Sequence, residues 1–121
     1  MEPMRHRQKL RVATTDHIHY IDIKDIVRIQ SLSNYSQIFF ASGKSILVSK
    51  VLAHFDTLLA DFDFMRVHRT HLVNLHCVTA YEHGNLPTIS LYNNEILPVA
   101  RSKKKMLKQE MNMLSVKSVR A

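Results

Sequence analysis

Ile26-Val27-Arg28-Ile29-Gln30-Ser31-Leu32-Ser33-Asn34-Tyr35-Ser36-Gln37-Ile38-Phe39-Phe40-Ala41-Ser42-Gly43-Lys44-Ser45-Ile46-Leu47-Val48-Ser49 is the stretch that decides the fold class. Ile26 to Gln30 reads as a strand, rich in β-branched residues. The cluster Ser31-Leu32-Ser33-Asn34 reads as a loop, followed by a second strand from Tyr35 to Phe40. Ser42-Gly43 marks a hairpin turn into a third strand, Ser45 to Ser49.

Outward from this stretch the hydrophobic period remains mostly two. Upstream, Leu10 to Thr14 alternates, and Ile18, Tyr20, Ile21 and Ile23 suggest a second strand after a turn at Asp16-His17. Downstream the period switches. Val51, Leu52, Phe55, Leu58 and Leu59 share one face of a helix, with Ser49 as its N-cap. Phe64 to His68 reads as a strand and Arg69 to Asn74 as a helical turn. Three further strands follow, Cys77 to Tyr81, Thr88 to Tyr92 and Ile96 to Val99, separated by His83-Gly84-Asn85 and Asn93-Asn94. Ser102 is placed to cap a last helix whose apolar stripe is Met106, Leu107, Met111 and Leu114. These short strands, with one internal and one C-terminal helix, make a mainly β domain with helical additions.

The chain has 121 residues, 45% of them hydrophobic and 22% charged, which is enough for one compact domain and its core. That excludes a full two-domain regulator, a large enzyme and a low-complexity chain. Two glycines leave little scope for a Gly-rich phosphate cradle, and no G-x-S-x-G, H-E-x-x-H, Walker-type or G-x-G-x-x-G motif is present. Cys77 is the single cysteine, so no internal disulfide forms and no zinc site is completed by sulfur. His68, His71 and His76, and the pair His17 and His19, invite a metal reading, but no acid or cysteine stands at ligand spacing beside His68 and His71. Asp61 and Asp63 read as solvated loop acids. The expectation is no metal, no cofactor and no catalytic residue: not an enzyme. With no apolar run long enough for a membrane span and a polar start from Met1 to Arg11, the expected compartment is a reducing cytoplasm.

The net charge of +7 is concentrated at the ends. Residues 1–11 carry +3, residues 12–100 carry −2 and residues 101–121 carry +6. A small domain this basic often has a polyanionic partner. The run Arg101-Ser102-Lys103-Lys104-Lys105 breaks a local rule, because it puts cations at the positive end of a helix dipole. Lys104 and Lys108 also repel at a spacing of one turn. Either the helix start is frayed and solvated, or it is an anion site that a phosphate backbone would satisfy.

Four blocks, in order, are familiar. They are Asp25-Ile26-Val27-Arg28-Ile29 with Ser33-Asn34-Tyr35; Leu47-Val48-Ser49-Lys50-Val51-Leu52; Phe64-Met65-Arg66-Val67-His68-Arg69-Thr70-His71-Leu72-Val73-Asn74; and Leu97-Pro98-Val99-Ala100-Arg101. From about Leu10 to Lys108 the chain resembles the LytTR family of DNA-binding domains, the output modules of LytR/AlgR-type response regulators. The resemblance implies an elongated arrangement of small β-sheets that reads successive DNA grooves with loops instead of a recognition helix. Carried onto this chain, it implies base contacts from Asn34, Tyr35, Ser36, His68, Arg69 and Arg101. Phosphate contacts fall to Lys50, Arg66, Lys103, Lys104 and Lys105. Some members use His in the first loop and Asn after the Arg-x-His strand; here those positions fall near Tyr35 or Ser36 and at Arg69, so base preference does not transfer. Family response regulators also carry an amino-terminal receiver domain, and nothing of that size precedes Leu10; the chain is either an excised output domain or a stand-alone regulator.

The resulting expectation is a basic extension over residues 1–9, a DNA-binding domain over 10–114 and a tail over 115–121. It regulates transcription by binding double-stranded DNA at repeated half-sites, as the family often does, with a monomer free in solution and two copies on DNA. A receiver domain or sensor-system partner would lie outside this chain, and no membrane is involved. The rival reading is a small basic module docking an acidic protein or a membrane surface, with Met106, Met111 and Met113 as a docking face. RNA binding ranks lower, because it wants exposed aromatics on a sheet and most of the aromatics here fall at core-like positions.

Overall fold

The computed structural model of the chain describes residues 8–115 and 117–120. The basic extension expected over residues 1–9 lies outside the described residues except for Gln8 and Lys9, as do two residues of the tail. Among the described residues are ten strands and two α-helices, joined in places by single 3-10 turns. In chain order the strands are β1 (Lys9–Ala13), β2 (Ile18–Asp22), β3 (Ile26–Leu32), β4 (Tyr35–Phe40), β5 (Ser45–Val48), β6 (Phe64–His68), β7 (His71–Asn74), β8 (Val78–Glu82), β9 (Thr88–Leu91) and β10 (Ile96–Pro98). The helices are α1 (Leu52–Leu59), between β5 and β6, and α2 (Lys104–Leu114), after β10.

All pairings are antiparallel, in three sheets: β1-β2, the central β5-β4-β3-β7-β6, and β10-β9-β8. Successive strand residues point to opposite faces, so the central sheet feeds two cores. Leu72 and Val73 on β7 separate in this way. Leu72 joins a core with Ile29, Ile38, the β1 residues Leu10 and Val12, and the α1 residues Leu52, Phe55 and Leu59. Val73 joins the other, with Met65, Val67, Ile89, Leu91, Leu97 and Leu107. The β1-β2 hairpin with α1 therefore covers one face, and the three-stranded sheet with α2 covers the other. Full burial of each such Leu, Ile or Val contributes about 1.5–3 kcal/mol.

The mainly β reading with two helices is confirmed, and four local expectations are corrected. Arg69 to Asn74 is not a helical turn: His71–Asn74 is strand β7, between β3 and β6 at the heart of the central sheet. All four of its residues are buried, which removes the alternation that would have marked a strand. Ser49 does not cap α1, whose N-cap is Val51 with no side-chain cap bond. Ser102 does not cap α2 either; it sits inside the 3-10 turn Arg101–Lys103 that leads into the helix. Ile23 leaves the second strand for a 3-10 turn over Ile23–Asp25.

Candidate nucleic-acid interface

One edge of the central sheet collects the polar loops. β3 ends at Leu32 and β4 starts at Tyr35, so the turn Ser33-Asn34 lies there. β6 ends at His68 and β7 starts at His71, so Arg69-Thr70 lies at the same edge, because Gln30 pairs with His71. β5 ends at Val48 opposite Ser36, which brings Lys50 to this edge as well. Two backbone hydrogen bonds then tie the loops together. The Ser31 N–H donates to the Thr70 carbonyl at 2.9 Å, and the Ala100 N–H donates to the Val67 carbonyl at 2.8 Å. The second bond sets the Arg101 corner beside the end of β6. Residues far apart in the chain thus share one edge.

The first loop is a two-residue hairpin in which Ser33 has φ 58°, a positive value at the first central position as in a type II′ turn. A non-glycine residue there carries about 1–3 kcal/mol of strain, so the surrounding ladder must hold the turn in place. Asn34 and Tyr35 are exposed at its tip. Ser36 is not: it is wholly buried, and its hydroxyl donates to the Lys50 carbonyl at 2.7 Å. Ser36 is therefore corrected from a base contact to a brace that holds the Lys50 segment against β4. The Lys50 side chain stays exposed.

In the second loop the Thr70 backbone N–H lies 3.3 Å from His68 Nδ1, with Thr70 Oγ1 at 2.9 Å. A backbone N–H can only donate, so Nδ1 is the acceptor and the ring proton sits on Nε2. The second loop thus presents a ring N–H and the exposed Arg69 side chain. Arg66 is half-buried, and its Nη2 donates to the Arg69 carbonyl at 2.6 Å.

At the third position Arg101 is exposed, and its Nη2 donates to the Asn85 carbonyl at 2.8 Å. The β8–β9 loop containing Asn85 is a neighbour that sequence reasoning misses; the bond spans 16 residues and leaves no local signal. Lys103 is the N-cap residue of α2, and Lys104 and Lys105 open its first turn, with no acidic residue there. The concentration of cations at the positive end of this helix is thus real. Of the stripe assigned to α2, Leu107 is buried and Met111 and Leu114 pack against the second core, while Met106 is 49% exposed.

Behind this edge lies a buried polar cluster that sequence reasoning also misses. Arg28 is 6% exposed, and its guanidinium meets both carboxylate oxygens of Glu95, at 3.1 and 2.8 Å. It also donates to Gln30 and sits 3.9 Å over the Phe39 ring. The same Arg28 bond holds the Glu95 carboxyl below the usual carboxylate range. His71 lies close by, with its ring centroid 5.8 Å from that of His68 and its Nδ1 buried without a partner. Burial first, then the charge of Arg28 and the neighbouring His68, lowers its pKa from 6.5 to about 4. Between those values the unfolded chain binds a proton that the folded chain refuses, so this contribution is complete above pH 6.5 and is lost as pH falls towards 4. Glu95 acts in the same direction at the acid end. The melting temperature should therefore fall across this window, and His71→Gln should flatten the fall; an unchanged profile in the variant would refute the assignment to His71.

Among the described residues no group of three or more His, Cys, Asp or Glu is arranged to hold a metal ion. No helix among them is long and apolar enough to cross a membrane. A cleft of about 550 Å³ is lined by Asp22, Asp61, Asp63, Asn74, His76 and Tyr92, among others. It opens at the far end of the central sheet, and none of the expected contact residues lines it.

Comparison with known proteins agrees with this fold. The family model of the LytTr DNA-binding domain matches residues 16–112. No curated protein matches the chain. Among solved structures, the LytTr DNA-binding domain of a protein described as a putative methyl-accepting/DNA response regulator from Bacillus cereus is similar, with a TM-score of 0.72 and 19% identity. The match covers 87% of this chain and 97% of that one, and at this identity it speaks for the fold alone. With the family match spanning most of its length, the chain belongs to the LytTR family of DNA-binding domains.

Proposed function

We propose that this DNA-binding domain reads double-stranded DNA sequence-specifically, through loops, and regulates transcription in a bacterial cytoplasm as the output module of a two-component system. The observation that carries the reading is the pair of backbone bonds, Ser31 to Thr70 and Ala100 to Val67, which gathers three loops at one edge of a rigid sheet. Rigid elements hold side chains more reproducibly than free loops do, which sequence discrimination requires. Asn34, Tyr35, His68, Arg69 and Arg101 are the base-reading set. Arg69 and Arg101 lead it, because a guanidinium fork pairs with guanine O6 and N7. Lys50, Lys103, Lys104 and Lys105 hold phosphates and set the register. Residues 10–114 form the binding unit, which is a monomer free in solution and sits as two copies on repeated half-sites. A receiver domain or sensor partner outside this chain would supply the signal.

Selection from a pool of random duplexes, followed by sequencing of what is bound, tests the reading. Enrichment of a duplex motif is expected. Retention of DNA with no motif enriched would favour the docking of an acidic protein or surface instead. The lysines have their own signature. Replacing Lys103, Lys104 and Lys105 together by Ala should weaken binding to preferred and scrambled duplexes by a similar factor. The salt dependence should flatten by about one unit of slope for each phosphate the variant no longer holds. Weakening confined to the preferred duplex would contradict the assignment.

A further inference from the structure

The family resemblance makes Arg66 a phosphate contact, and its geometry points elsewhere. Arg66 stands on β6 and is half-buried. Its Nη2 is turned onto the Arg69 carbonyl at 2.6 Å, while its Nε is buried with no partner. An arginine that grips a phosphate presents its fork to solvent. Here one terminal nitrogen of the fork is held by a carbonyl of the protein's own turn, and Nε, behind the fork, is shut away from solvent. The Arg69 carbonyl belongs to the peptide plane between Arg69 and Thr70, and the tilt of that plane sets ψ of Arg69 and φ of Thr70. The other ties in this turn, Thr70 N–H to His68 Nδ1 and Ser31 N–H to the Thr70 carbonyl, hold its far side.

We propose that Arg66 is a positioning residue of the DNA interface: by holding the Arg69 carbonyl it locks the Arg69-Thr70 turn and so aims Arg69 and His68 at the base edges. The inference rests on the reading of DNA by these loops, and one half of its test needs no DNA. A lysine can replace the charge of Arg66 but not its planar fork, so Arg66→Lys separates positioning from simple charge.

Without DNA, native-state amide exchange reads the lock directly. In Arg66→Ala and Arg66→Lys the Ser31 N–H, bonded to Thr70, should lose protection by about tenfold, the scale of one charge-assisted hydrogen bond. The Val99 N–H, bonded to Pro87 elsewhere in the fold, should be unaffected. With DNA, both variants should bind the preferred duplex about tenfold more weakly, with scrambled-duplex affinity and salt slope unchanged. If Arg66→Lys binds as the parent does, and Arg66→Ala weakens both duplexes and flattens the salt slope, Arg66 is a phosphate contact and the proposal fails. Unchanged protection at Ser31 in both variants overturns it equally. Should Arg66→Ala not fold, Arg66→Lys, which keeps the aliphatic stem, carries both measurements. A parent chain that prefers no duplex would sink the DNA-reading proposal, while the exchange result would still decide whether Arg66 locks the turn.

Discussion

Arg101→Ala is expected to cost roughly 1–3 kcal/mol of affinity on the preferred duplex and much less on scrambled DNA. Arg101 follows directly on Ala100, whose N–H is bonded to the Val67 carbonyl, so its backbone is held by the central sheet. Its side chain has one Nη2 bond, to the Asn85 carbonyl, which leaves the rest of the fork available and restricts where it can point. An arginine restrained in this way loses less freedom on binding than a free one does. A base contact exists only at the right sequence, so its removal should erase preference more than affinity. Competitive binding of the variant to preferred and scrambled duplexes across a salt series checks this. An equal loss on both would make Arg101 another phosphate contact. The neighbouring lysines are the internal comparison, since they are expected to fail on every duplex alike.

Glu95→Ala should be the most damaging single change to stability among the polar residues. Arg28 is 6% exposed, and Glu95 occupies two of its donors. Truncating Glu95 leaves a guanidinium buried with only Gln30 and the face of Phe39 for company. Loss of one partner from a buried pair costs about 3–5 kcal/mol. The Glu95 side chain is itself 35% exposed, so water can partly replace it, and about 2–3 kcal/mol is the expected loss. For a domain of this size that lowers the melting temperature by roughly 10 °C or more. Glu95→Gln, which keeps one oxygen acceptor, should fall between the two. A melting temperature for Glu95→Ala within a degree or two of the parent would show that the pair contributes little. The Asn93 amide also donates to Glu95, so the β9–β10 turn should loosen along with the pair.

The two arginines also mark the limits of sequence reading in this chain. Arg101 stands out at once, because it begins a basic run where a helix would prefer acids. Arg28 looks like one polar residue in an apolar strand, and nothing near it names Glu95, 67 residues away. By sequence, Ser36 reads as a residue able to reach DNA. Its burial follows from the pairing of β4 with β5 and from the Lys50 carbonyl that this pairing brings over it. The sequence sets Arg66 on its strand but gives no sign of its bond to the Arg69 carbonyl, since that partner belongs to a turn whose shape no residue pattern specifies.

The sequence by itself determined that the chain is a mainly β domain with one internal and one C-terminal helix, and that the cations gather at the start of the last helix. Those features are local. A strand or an amphipathic helix is written in residues two to four positions apart, and α2 carries its lysines in its own first turn. Only the tertiary structure decided that His71–Asn74 is a central strand, because burial on both faces hides the alternation a strand would show. It also decided which loops meet. The bonds from Ser31 to Thr70 and from Ala100 to Val67 join positions whose residue types carry no information about each other. A backbone N–H and a carbonyl are present at nearly every residue, so such pairing is set by how the sheets pack and not by which side chains are there.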